Sequence, residues 1–164
     1  MRKRLTLVVF LAAMALQMWS VPRSGAQTSP EVLKDNGNGT VTDTKTGIMW
    51  QKDDTGKTMG WNEAISSCRG LSLAKYSNWR LASDDELTTL WRNAGVASET
   101  KTKFFPSMKP SPYWSSSVIG GTSGVMVWAV DFTNGKATGV PNGSGGYYRA
   151  GGPFYARCVR EQPK

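Results

Sequence analysis

The residues of this chain that could do chemistry are a few carboxylates and two cysteines, because the sequence contains no histidine. The lack of histidine excludes Ser-His-Asp and Cys-His catalysis and most zinc sites. A carboxylate pair for glycoside hydrolysis could come from Asp84, Asp85 and Glu86, or from Asp131 with another acid. The first three acids, however, form a helix-start pattern with Ser83. We therefore expect no catalytic residue and no cofactor, and we interpret the chain as a protein that is not an enzyme.

The amino terminus has the pattern of a secretory signal peptide. Three basic residues at 2–4 precede an apolar run from Leu5 to Met18, and Ser24 and Ala26 supply the small residues of a cleavage site. The run is shorter than the about 20 residues that cross a bilayer, so we expect cleavage rather than a retained anchor. The predicted organisation is a signal peptide at 1–26, a short polar lead-in at 27–34 and one domain at 35–164. This predicts an exported protein, periplasmic or secreted to the cell surface.

Cys68 and Cys158 are the only cysteines. In an exported chain an even pair is most simply a disulfide. A pair of metal ligands or a catalytic thiol are the alternatives, and both lack support because histidine and further cysteines are absent. The turn at Asp35–Gly39 is similar to a calcium loop, but Gly37 stands where an EF-hand needs a second oxygen ligand. We expect an ordinary turn there and no metal site.

The charge of the chain gives limited information about its partners. Removing residues 1–26 takes away four basic residues and no acidic residue, so the formal net charge falls from +8 to +4. Mild basicity of this kind is typical of a solvated surface. We expect no nucleic acid partner and no stable membrane insertion after signal cleavage.

Two helices are predicted in the middle of the chain, with strands on either side. Apolar residues recur at helical spacing from Trp61 to Leu71, with Cys68 on the apolar face. Ser83 and Glu86 form a capping box for a second helix that ends at Gly95. Strands are predicted at 40–42, 46–51, 113–118, 125–132, 136–140 and 154–159, and Asn134-Gly135 predicts a two-residue type I′ turn. This order is typical of an α+β domain.

The aromatic and basic residues are the candidates for ligand contact. We expect most of the six tryptophans after the leader to be buried, namely Trp50, Trp61, Trp79, Trp91, Trp114 and Trp128. Two sets remain as candidate ligand-binding residues. The first lies in a glycine-rich loop and the second consists of lysines around irregular segments and a turn: Tyr147, Tyr148 and Arg149, and Lys101, Lys103, Lys109 and Lys136. A scattered, solvated surface is the alternative interpretation of the second set.

Seven short segments follow one another in a recognisable order from Asp35 to Arg160. They are Asp35–Asp43, Thr46–Gln51, Trp61–Ala64 with Cys68, Ser77–Leu81 with Glu86-Leu87, Tyr113–Ser116, Trp128–Phe132 with Asn134-Gly135, and Arg157–Arg160. Together they resemble the Lcl C-terminal domain family, a bacterial domain of unknown function found at the end of a collagen-like adhesin. Ala82 and Gly60 depart from the proline and threonine usual in the family.

The resemblance implies a C-type-lectin-like fold. Such a fold has two helices packed on a mainly antiparallel, twisted sheet with long loops, and a disulfide from the first helix to the last strand. The tripeptide signatures of calcium-dependent lectins are absent from this sequence, so calcium-dependent sugar binding is not implied.

We therefore expect an exported, non-catalytic binding domain that recognises an extracellular or cell-surface polymer such as an acidic or sulfated glycan. A structural or assembly module that forms homo-oligomers, and an enzyme with an unrecognised site, are the alternatives.

Overall fold

Two helices and two antiparallel sheets make up the structure, a computed structural model that describes residues 32–94, 103–120, 126–141 and 152–162. In chain order the elements are β1 (Leu33–Asp35), β2 (Thr40–Asp43), β3 (Ile48–Gln51), α1 (Trp61–Arg69), β4 (Arg80–Leu81), α2 (Asp84–Ala94), β5 (Pro112–Ile119), β6 (Met126–Asp131), β7 (Lys136–Pro141) and β8 (Cys158–Glu161). The predicted α+β class is confirmed, and the arrangement is consistent with a C-type-lectin-like fold.

The first sheet contains five strands in the order β1-β2-β3-β8-β4, so the last strand of the chain lies inside the sheet rather than at its edge. The predicted hairpin of β2 and β3 is confirmed. Its turn is fixed by the Asp43 carboxylate, which accepts hydrogen bonds from the backbone N–H groups of Lys45 and Thr46. The sheet begins at Leu33, which is buried and pairs with Asp43, so β1 includes two residues of the segment predicted as lead-in.

The second sheet has the order β5-β6-β7. The predicted hairpin of β6 and β7 is confirmed, but the predicted type I′ turn is wrong. Asp131 pairs with Lys136 across four residues, and Gly135 has a positive φ of 74° whereas Asn134 does not. A type I′ turn needs a positive φ at both central residues. The longer loop forms because Phe132 is buried in the core and the Asp131 carboxylate accepts the backbone N–H of Thr133.

Both predicted helices are present at the expected positions. α1 begins after Gly60, which supplies no side-chain cap, and it buries Ala64 and Cys68. α2 begins with the predicted capping box: Glu86 N–H donates to Ser83 Oγ at 3.2 Å, and Ser83 N–H donates to Glu86 Oε2 at 2.8 Å. These two bonds satisfy backbone donors that a helix start otherwise leaves unpaired.

Two apolar cores form because both faces of the five-stranded sheet are covered. One core holds Leu87 and Leu90 of α2 with Trp50 and Val159 of the sheet. The other holds Ala64 and Cys68 of α1, and its sheet residues are Met49, Leu81 and Cys158. The disulfide between Cys68 and Cys158 therefore joins α1 to the interior strand β8 across the second core.

The end of the chain departs from the predicted strand at 154–159. Only Cys158–Glu161 form β8, while Phe154 and Tyr155 make isolated bridges to Met59 and Tyr113. Arg157 does not alternate outward, because its side chain is fully buried in an ion pair with Asp54. The predicted alternation of inward and outward side chains therefore fails at Arg157, because its side chain is buried in this salt bridge instead of facing solvent.

The tryptophans divide into three groups. Trp50, Trp79 and Trp114 are buried, as predicted, and Trp61 and Trp91 are half-buried and pack against a core. Trp128 is half-buried and belongs to neither core. The expectation that most of the tryptophans are buried therefore does not extend to Trp128.

Candidate functional site

A surface cleft of about 420 Å³ lies beside β1, which is an edge strand of the five-stranded sheet. Six residues line the cleft: Leu33, Lys34, Asp35, Thr44, Lys103 and Phe104. They come from three parts of the chain, namely the edge strand, the β2–β3 turn and the segment before β5. Its volume is within the range of about 300–1,000 Å³ that is common for ligand sites.

The cleft has an apolar floor and a basic rim. Leu33 is 2% exposed and Phe104 is 1% exposed, and both belong to the core beneath α2. Lys34 and Lys103 are exposed at the rim, and Lys103 Nζ lies 4.8 Å from the centroid of the Phe104 ring. That position is within the range of a cation–π contact. The ring therefore helps to place the ammonium group of Lys103 over the cleft.

The one carboxylate in the cleft is already paired. Asp35 Oδ2 lies 2.6 Å from Lys52 Nζ, and Asp35 Oδ1 accepts the backbone N–H of Gly37 at 2.9 Å. The hydrogen bond from Lys52, and then the one from Gly37, lower the pKa of Asp35. The same bond to Asp35 raises the pKa of Lys52. Lys52 therefore pairs with Asp35, while Lys34 and Lys103 place two ammonium groups at the rim of the cleft.

The turn after β1 is held by side-chain hydrogen bonds. Asn36 Nδ2 donates to the hydroxyl oxygens of Thr40 and Thr42, both at 2.9 Å. Gly37 and Gly39 have positive φ angles of 70° and 83°, which residues with a Cβ rarely adopt. Within the described residues there is no group of three or more side chains that could hold a metal ion.

The predicted ligand-binding residues are only partly brought together. Lys103 lines the cleft, whereas Lys109 and Lys136 are exposed elsewhere: Lys109 precedes β5 and Lys136 begins β7. The remaining four predicted residues lie outside the described residues: Lys101, Tyr147, Tyr148 and Arg149.

Lys34, Asp35 and Thr44 were not among the candidates from the sequence. Strand pairing brings Lys34 and Asp35 close to Thr44, and the burial of Phe104 in the same core as Leu33 brings Lys103 to them. In the sequence, the one indication of a strand at β1 was the apolar Leu33 beside Lys34.

Two of the acids that could have formed a hydrolytic pair, Glu86 and Asp131, have structural contacts. Arg80 donates to both carboxylate oxygens of Glu86, at 2.7 and 2.8 Å. Burial opposes ionisation of Glu86, but the hydrogen bonds from Arg80 and the Ser83 backbone outweigh burial, so the pKa of Glu86 is lowered. A general acid needs a raised pKa. Asp131 caps the β6–β7 turn through Thr133.

Comparisons with known proteins give one match. A family model described as the Lcl C-terminal domain matches residues 39–160. No curated protein and no solved structure matches the chain. None of the helices in the described residues is long and apolar enough to cross a membrane. The family match begins after β1, so Leu33, Lys34 and Asp35 of the cleft lie outside the matched residues.

Proposed function

Since the chain belongs to the Lcl C-terminal domain family, we propose that it is an exported, non-catalytic domain that binds an extracellular or cell-surface polymer, an acidic glycan, in the cleft beside β1. The disulfide supports an oxidising, extracellular environment, because cytosolic thiols are kept reduced. The signal-peptide pattern at residues 1–26 points to the same compartment.

The cleft is the observation that carries this proposal. Carboxylate or sulfate groups of a glycan would pair with the ammonium groups of Lys34 and Lys103, which are exposed at the rim of the cleft. The cleft lies at a sheet edge and opens to solvent, so a long chain can run past it without threading through the protein. A binding site for one segment of a polymer needs such an open groove.

The test is a binding measurement with heparin as the acidic probe, at low and high ionic strength. The variant Lys34→Glu with Lys103→Glu should lose about tenfold or more in affinity, because each change removes one favourable charge and adds one repulsive charge. The matched control is Lys109→Glu with Lys136→Glu, which alters net charge equally outside the cleft. The control should change the affinity much less.

Two results would count against the proposal. Equal losses in both variants would show attraction to net charge rather than recognition in the cleft. Binding that does not weaken with salt, or no binding to any acidic polysaccharide tested, would remove the acidic glycan as the ligand.

A further inference from the structure

One end of the β5-β6-β7 sheet is built only from apolar residues. The two cross-strand rows at that end consist of Ile119, Met126 and Pro141, and of Val118, Val127 and Val140. We refer to these six residues as the apolar end. Val127 is buried, and the other five retain solvent exposure.

The apolar end is the most exposed apolar surface in the described part of the chain. Val118 is 54% exposed and Met126 is 39% exposed, and they are the only exposed large hydrophobic residues there. Ile119 and Met126 belong to neither core. Both reach over Gly139, where an added Cβ would lie 2.6 Å from Ile119 Cδ1. Contiguous exposed apolar patches are a feature of sites that contact another protein or a membrane.

Trp128 lies in the next row, opposite Gly139. It is half-buried and outside both cores, and among the described residues its indole N–H has no hydrogen-bond partner and is not buried. An indole in this state has an apolar body and a polar group open to water. Tryptophan is enriched at membrane interfaces for this reason.

Charged residues occur only at the opposite end of the sheet. The last row joins Asp131 to Lys136, and the sequence from Ser111 to Val130 contains no charged residue. Asp131 lies five residues after Met126 along β6, which is a distance of about 17 Å in a strand. Polarity therefore increases along one axis, from apolar side chains to an indole and then to charges.

We propose that the apolar end docks reversibly on a lipid bilayer, with Val118, Ile119 and Met126 at the headgroup–acyl boundary and Trp128 at headgroup level. The six residues of the apolar end carry no charge that could pair with an acidic glycan, whereas uncharged hydrocarbon complements their side chains. The order of side chains along β6 also follows the polarity gradient of a bilayer interface. The contact is peripheral, and it is separate from the cleft beside β1.

The test uses the mature chain with vesicles of zwitterionic phosphatidylcholine and measures co-sedimentation. Val118→Asp with Met126→Asp should reduce the partition coefficient about tenfold or more, because carboxylates resist transfer out of water. The matched control, Thr133→Asp with Asn134→Asp, adds the same charge at exposed positions in the β6–β7 turn and should bind like the unmodified protein. Lys34→Glu with Lys103→Glu should also retain vesicle binding.

A second measurement locates the indole. Lipids brominated in the upper acyl chain should quench tryptophan fluorescence of the unmodified protein, and Trp128→Phe should remove most of that quenching. Near-ultraviolet circular dichroism checks that each variant is folded, and Val118→Ser with Met126→Ser replaces the aspartate pair if that pair unfolds.

Three results would overturn the proposal. They are no vesicle binding, binding unaffected by changes at Val118 and Met126, and self-association in the absence of lipid that the aspartate pair abolishes. The last result would show that a second copy of the chain covers the apolar end.

Discussion

Arg157 has a fully buried guanidinium group, and the surrounding loops are organised around it. Its Nη2 donates to Asp54 Oδ2 at 2.8 Å, and its Nη1 donates to the backbone carbonyls of Gln51 and Lys52. The Tyr113 hydroxyl also donates to Asp54 Oδ2. Burial first, and then the nearby Asp54 carboxylate, contribute to a raised pKa of Tyr113, so its hydroxyl remains a donor.

Removing both partners of this pair should destabilise the protein by less than the sum of the two single losses. Asp54→Asn leaves the Arg157 charge buried, and Arg157→Met leaves the Asp54 charge buried; each should cost about 3–5 kcal/mol. The double variant buries no charge, so its cost should be less than the sum by about 2 kcal/mol. Urea unfolding of the four proteins measures this coupling. Strictly additive costs would contradict a direct interaction between the two side chains.

Glu86 gives a second prediction, on pH. Its folded-state pKa is lowered below the ordinary value of 4.5, so its ionised form is more favourable in the folded protein than in the unfolded chain. This stabilisation is present above about pH 4.5 and is lost as the pH falls through the folded-state pKa. Glu86→Gln should flatten the decline of the unfolding midpoint below about pH 4.5. Asp85→Asn, which removes the exposed carboxylate of the preceding residue, is the control and should leave the decline intact.

Glu86 and Arg157 show which contacts of a single residue can be predicted from the sequence. Ser83 and Glu86 were predicted as a capping box because both partners lie within one helical turn, where spacing alone fixes the geometry. Arg157 and Asp54 are separated by 103 positions. No local pattern marks such a pair, and an arginine in a strand is ordinarily read as solvent-facing.

At the scale of elements, α2 is fitted to the β6–β7 turn through Trp91. A Cβ added at Gly135 would overlap the six-membered part of the Trp91 indole, and Gly135 also has a positive φ of 74°. The turn and the helix can meet only because this residue has no side chain. The same glycine was correctly predicted to lie in a turn, but the turn type depends on the burial of Phe132, which local spacing does not encode.

Gly135→Ala should therefore cost more stability than a similar change in an open turn. The control is Gly37→Ala, because Gly37 has a positive φ of 70° and an added Cβ would meet nothing within 4 Å. We expect a loss of about 1 kcal/mol for Gly37→Ala, from backbone strain alone, and about 2–4 kcal/mol for Gly135→Ala, where overpacking adds to strain. Equal losses in denaturant unfolding would contradict the Trp91 contact.

At the scale of the whole molecule, the topology places β8, near the end of the chain, inside the five-stranded sheet between β3 and β4. β8 pairs with β3 on one side and β4 on the other, and the Cys68–Cys158 disulfide ties it to α1. The even pair of cysteines in an exported chain predicted this disulfide, and the family resemblance implied that it joins the first helix to the last strand. The α+β order followed from local patterns of helix and strand. The cleft beside β1 and the apolar end could not be predicted, because both depend on which strands become neighbours.

Removing the disulfide should destabilise the domain without changing its fold. The closed loop spans 90 positions, and losing it returns conformational entropy to the unfolded chain. Cys68→Ala with Cys158→Ala should lower the free energy of unfolding by about 2–5 kcal/mol. Each sulfur lies in an apolar core, so part of the loss comes from packing.

The unmodified protein measured with dithiothreitol separates the two contributions, because it keeps both sulfurs and lacks only the bond. An unfolding midpoint unchanged by dithiothreitol would mean that the packing of the two cores alone holds α1 against β8. The presence of the disulfide would then still indicate an oxidising compartment, but the bond would not be needed for the stability of the domain.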